Sequence, residues 1–143
     1  YHGNYKAYFE FIADSLKRYS SQRDKQKGEA FVHGFTLAMT SQNQFYRPIS
    51  ELDNDGGYAD IFLSPLCDIY KDMVDSYIIE LKYCKTNTAD EQLQVLFKEA
   101  SAQICRYANS DIVKESVKTT KLHKLVVIYR GAEMVMCEEV TEE

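Results

Sequence analysis

An α/β chain, with a central mixed sheet flanked by helices (α+β), is the fold class that three features of the sequence predict. A long amphipathic helical pattern lies between two apolar strand-like runs, 77–83 and 125–129, which marks a crossover connection. Two more helical patterns open the chain. Asp53-Asn54-Asp55-Gly56-Gly57, with a strand candidate on each side, tolerates the backbone angles of a tight hairpin. At 143 residues the chain can build one domain with a substantial core and is too short for two.

The elements follow in order. From Tyr5 to about Ser20, apolar residues at Tyr5, Tyr8, Phe9, Ile12, Leu16 and Tyr19 have the spacing of one helix face. Ser20 to Gly28 is polar and reads as a loop. A second helix is predicted from about Gly28 to Ser41, with Ala30, Phe31, Gly34, Phe35, Leu37 and Ala38 as its apolar surface. Phe45–Leu52 is a strand candidate with Pro48 at an edge or bulge. The hairpin turn leads into a strand at 57–63, a loop at 64–76 and a strand at 77–83. Thr86–Thr88 are capping candidates for a helix reaching about Asn109, with Asp90 and Glu91 in its first turn. Its apolar face runs through Leu93, Leu96, Phe97, Ala100, Ile104 and Tyr107, with Gln103 at the margin. The segment 111–124, with Lys114, Lys118, Lys121 and Lys124, reads as a solvated stretch. Leu125–Tyr129 and Glu133–Cys137 are the last strands, and Glu138–Glu143 is expected to fray.

Composition limits the function. Hydrophobic residues at 45% and charged residues at 27% belong to a globular chain rather than a disordered one. A formal charge of -5 argues against a surface built wholesale for a phosphate backbone, while leaving room for a local basic patch. Cys67, Cys84, Cys105 and Cys137 are scattered, without a C-x-x-C pair or histidines at zinc spacing, and read as reduced thiols. No signal peptide or long apolar span is visible, so no membrane association is expected and a cytoplasmic location is. The chain starts at Tyr1 without a methionine. A single domain over 1–143 is expected to be a fragment of a longer chain, with 1–20 as a leading helix and 29–137 as the core.

The chemistry is concentrated in two runs, Gly57-Tyr58-Ala59-Asp60-Ile61-Phe62-Leu63 and Tyr77-Ile78-Ile79-Glu80-Leu81-Lys82-Tyr83. Alternation puts Glu80 and Lys82 on one face of a strand, and pairing of the two runs can bring Asp60 beside Glu80. Charges within such runs are rare unless paired or bound to metal. Two carboxylates suit a hard cation such as magnesium or manganese, and a neighbouring lysine can orient water or stabilise developing negative charge. An internal ion pair in a half-exposed strand pair is the competing reading. Glu29 and His33, four apart, share a helix face and read on their own as a solvent-side pair.

Gly57-Tyr58-Ala59-Asp60, then Ile78-Ile79-Glu80-Leu81-Lys82, then Gln103-x-x-x-Tyr107 on the next helix resemble the PD-(D/E)XK nuclease superfamily. The likeness is greatest to the nuclease-like domain that follows an AAA-ATPase-like domain in bacterial proteins. The resemblance implies a restriction-endonuclease-like core of helix, three antiparallel strands, helix and a further strand. It implies that Asp60 and Glu80 hold the metal, Mg2+ or Mn2+, that Lys82 is the catalytic lysine, and that Glu29 is an additional acidic residue reaching the metal. Gln103 and Tyr107 match a motif that supports the site and contacts nucleic acid. Ala59 replaces the usual proline, which removes no ligand. Read without the resemblance, Tyr107 is a core residue, Gln103 a satisfied buried amide, and Lys85, Arg106 and the lysines at 114–124 a solvated face.

The expected function is therefore a metal-dependent nuclease acting on DNA, attached to an ATPase-like domain in the same chain. The alternative is a non-cleaving nucleic-acid-binding or regulatory module of the same fold. A weaker third reading, a pure interaction domain, is suggested by the 11 tyrosines. No phosphate-cradling glycine-rich loop is present, so any ATPase activity would lie outside this sequence.

Overall fold

Strands covered on both faces read as near-continuous apolar runs, and the runs at 77–83 and 125–129 lie side by side inside the sheet. In a computed structural model of the protein, residues 5–19, 29–42, 45–52, 58–131 and 133–141 are described, the side chains of 19, 29–33, 50–52 and 58–60 excepted. The strands are β1 (Tyr46–Leu52), β2 (Tyr58–Pro65), β3 (Asp75–Cys84), β4 (Lys121–Arg130) and β5 (Glu133–Glu139). They lie side by side in chain order. Neighbours are antiparallel except β3 and β4, which are parallel and joined over one face of the sheet by α3 (Asp90–Ala108) and α4 (Asp111–Val117). The other face carries α1 (Tyr5–Tyr19) and α2 (Glu29–Thr40). The expected mixed sheet with flanking helices is the fold observed. The hairpin turn at 53–57 lies outside the described residues, and Leu52 pairs with Tyr58 as a hairpin there requires.

Alternation along the strands divides the core in two. Ile61, Leu63, Tyr77, Ile79, Leu81, Leu125, Val127 and Tyr129 meet Phe9, Ile12 and Leu16 of α1. The three α1 residues follow the spacing that brings side chains onto one helix face, and each buried side chain of this size contributes about 2 kcal/mol. Tyr8 joins α1 to α2 by donating to the Met39 carbonyl at 3.2 Å. On the opposite face Phe62 and Ile78 pack with Ile104 and Val113, while Val126 and Ile128 pack with Leu93 and Ala100. Burial pushes the Tyr129 phenol far above its usual range and the Cys137 thiol up to about 11. All four cysteines are free thiols.

Several elements differ from expectation. Residues 111–124 are not a solvated stretch: α4 occupies 111–117 with Val113 fully buried, and β4 starts at Lys121. On α2, Gly34 and Ala38 are exposed while Thr36 and Thr40 are buried, so its inward face is rotated from the one expected. Thr40 tolerates this because its hydroxyl donates to the Leu37 carbonyl at 3.0 Å. No threonine caps α3; Ala89 takes the N-cap position without a side-chain hydrogen bond. The Thr88 carbonyl instead accepts from Arg130, whose guanidinium also reaches Asp90 at 2.8 Å. Glu138 and Glu139 are ordered in β5 rather than frayed.

Gly131 turns β4 into β5 at φ 64, a left-handed angle that costs any residue with a Cβ about 1–2 kcal/mol. A Cβ there would also meet Thr86 Cγ2 at 2.5 Å. Gly131→Ala is expected to lower the stability by about 2 kcal/mol or more, read as a lower urea midpoint with an unchanged slope.

Candidate active site

The β2–β3 register decides the central question of the two charged runs, for Asp60 is the Cα partner of Glu80. Residues opposite one another on an antiparallel ladder share a face of the sheet. Two residues further along β3, Lys82 places Nζ 3.3 Å from Glu80 Oε1. Glu80 is fully buried and the Lys82 side chain is 18% exposed. The carboxylate is therefore inside the protein, and its cation sits at the edge of solvent.

The surroundings are apolar on either side. Along β3 the same face continues to Ile78, in the cluster with Phe62 and Ile104. Across to β4, the partner of Glu80 is Val126, in the cluster with Leu93 and Ala100. Glu80 thus stands between two hydrophobic clusters under α3, where a charge costs several kcal/mol to desolvate.

α3 supplies Gln103 and Tyr107 to this face of the sheet. Tyr107 packs with Phe62, Ile78 and Ile104, as a core residue would, but its hydroxyl oxygen is buried as well. Gln103 Oε1 is buried with no hydrogen-bond partner among the described residues, so it is not a satisfied amide there. Ser110, which the sequence reading passed over, adds another buried oxygen without such a partner. It holds the N-cap position of α4 without capping it. Gln103 and Tyr107, four apart, share one face of α3, which was the available signal for them; Ser110 lies beyond the end of that helix.

Glu29 begins α2, whose Phe35, Leu37 and Met39 pack on the other face of the sheet. Its side chain, like those of His33 and Asp60, lies outside those described. Among the described residues no group of three or more His, Cys, Asp or Glu is placed to hold a metal ion. The donor set nevertheless suits a hard cation: Glu80 offers buried carboxylate oxygens opposite a second carboxylate residue, with no sulfur in the pair. No helix among the described residues is long and apolar enough to cross a membrane.

A family model of the PD-(D/E)XK nuclease superfamily matches residues 27–139, the span that includes all five strands and every residue of the constellation. No significant match to a curated protein or to a solved structure was found. With its restriction-endonuclease-like mixed sheet, the chain belongs to the PD-(D/E)XK nuclease superfamily, whose members act on nucleic acid and generally depend on a divalent metal ion.

Proposed function

We propose that the protein is a metal-dependent nuclease that hydrolyses phosphodiester bonds in DNA. The observation that carries this reading is the Asp60–Glu80 register with the Lys82 ammonium 3.3 Å from the buried Glu80 carboxylate. Stability alone is a poor reason for such a pair. Replacing a buried ion pair by well-packed apolar residues is often neutral or stabilising by about 1–4 kcal/mol, so stability does not account for these charges.

In this reading Asp60 and Glu80 hold Mg2+ or Mn2+, helped by Glu29. The ion supplies charge neutralisation at the phosphate and acidifies a water. Lys82, fixed by Glu80 and open to solvent on one side, orients the attacking water and stabilises the negative charge that develops on the phosphate. The apolar clusters on either side of Glu80 keep bulk water away and so strengthen these interactions. Gln103 and Tyr107 offer polar atoms from α3 that support the site and contact nucleic acid. The attachment to an AAA-ATPase-like domain and the cytoplasmic setting belong to the same proposal and rest on the sequence resemblance.

Purified Asp60→Ala and Lys82→Ala proteins with native circular dichroism are expected to lose cleavage of DNA in Mg2+ or Mn2+, and EDTA is expected to stop the parent. Persistent cleavage in either variant would remove that residue from the mechanism. Calorimetric titration with the metal separates the non-cleaving alternative, since such a module need not bind the ion.

A further inference from the structure

On the opposite face of the sheet, which α1 covers, three titratable side chains meet at the ends of three strands. His123 of β4 stands between Asp75 of β3 and Glu139 of β5. Its Nε2 lies 2.6 Å from Asp75 Oδ1 and its Nδ1 lies 2.7 Å from Glu139 Oε1. The ring stacks on Tyr77, with centroids 5.0 Å apart and planes 20° from parallel, and only 12% of the side chain is exposed. At such distances each nitrogen and oxygen must share a hydrogen, because two facing lone pairs repel. A neutral imidazole has one N–H and the imidazolium has two.

We propose that Asp75, His123 and Glu139 form a proton-held clamp. Closed, the ring carries both N–H protons and fastens the end of β5 to β3 across β4. Open, one proton has gone to solvent, a ring lone pair faces a carboxylate, and the end of β5 is released.

Titratable and charged groups face the ring from each neighbouring element. Asp75 and Tyr77 face the ring from β3 and Glu139 from β5. Tyr5 of α1 packs against Tyr77, and its phenol is pushed up by burial and then by the Glu139 charge, so it stays neutral. Tyr46 of β1 donates to the Asp75 carbonyl at 2.9 Å, which fixes the backbone of that residue. Two lysines are near: Lys121, the register partner of Asp75, is exposed on the same face, and Lys6 lies 4.0 Å from Glu138. The closed trio carries one net negative charge and the open trio two. The clamp's contribution is therefore present on the acid side of the proton's release and lost as the pH rises; at lower pH, protonation of the carboxylates weakens it again. Beyond Glu139, the Val140 amide donates to the Lys124 carbonyl at 2.7 Å, and this tie reports on the clamp. None of this depends on the nuclease reading.

The test is nuclear magnetic resonance of the whole chain, with the ring nitrogens of His123 assigned. Both nitrogens are expected to carry protons wherever the Val140 amide is protected. The Val140 amide is expected to lose about tenfold of its protection against exchange, after correction for the intrinsic rate, as rising pH removes the second ring proton. Glu139→Gln can donate an N–H to a neutral ring, so it keeps the link and is expected to abolish that pH dependence. A parent ring with one bare nitrogen while the Val140 amide stays protected would overturn the clamp. So would Val140 protection that follows pH identically in the two proteins.

Discussion

Lys82→Met is expected to slow cleavage of nucleic acid by at least about 100-fold and to destabilise the fold by about 3 kcal/mol at neutral pH. The double variant Glu80→Gln/Lys82→Met is expected to regain most of that stability and none of the cleavage. The two effects have different origins. Lys82 is the cation 3.3 Å from a fully buried carboxylate, and taking it away removes an ion-pair partner from a group that stands between two apolar clusters. Removing the charge of Glu80 too relieves the cost, because a neutral amide and a thioether fill nearly the same space. The chemistry does not return, since it needs both the carboxylate and the ammonium. Initial rates in Mg2+ and urea unfolding of the three proteins read the two effects separately. Undiminished cleavage by Lys82→Met would end the case for that residue, and a double variant no more stable than the single would show that the pair is not the charge balance it is taken for.

Phe62→Ala is expected to cost about 4 kcal/mol, the largest stability loss among the substitutions considered. Phe62 is fully buried, is the register partner of Ile78, and joins it in a cluster with Ile104 and Val113. It holds α3 and α4 to the sheet, so the hole cannot close without moving a helix. It also lies two residues from Asp60 on β2. The variant should therefore unfold at markedly lower urea and also lose activity while still folded. A loss below about 1 kcal/mol would mean that the cluster repacks freely.

The fold was legible where apolar periodicity ran long enough. The β2–β3 pair, the crossover helix and the leading helix each repeat a pattern over at least two turns or half a strand, and all are present. Where the signal depended on residues far apart in sequence, it could not be read. His123 falls in a stretch that reads as solvated because Asp75 and Glu139, which pair with it, lie 48 and 16 residues away. The same bonds order Glu139 at a point where the sequence suggests only an acidic tail. α4 escaped because seven residues with one fully buried member, Val113, give no periodicity to detect. The threonine cap failed because the helix starts one residue later than a Thr88 cap requires, which puts Ala89 at the N-cap position. Of the site, the Asp60–Glu80 register and the Glu80–Lys82 contact followed from strand alternation. The buried oxygen of Ser110 did not, since a serine between two helices is the ordinary cap residue.

The single parallel pairing in the sheet also orders events in time. β2 and β3 are joined by residues 66–74, and closing so short a connection is fast and entropically cheap. β3 can meet β4 only after the whole segment from 85 to 120 has been gathered, at a loop-closure cost of about 3 kcal/mol. The hairpin that brings Asp60 to Glu80 therefore forms early, and the helix that shelters it arrives with the late, non-local contact. The charged pair spends the first part of folding in water, where its ionisation costs little, and becomes buried only when α3 closes over it.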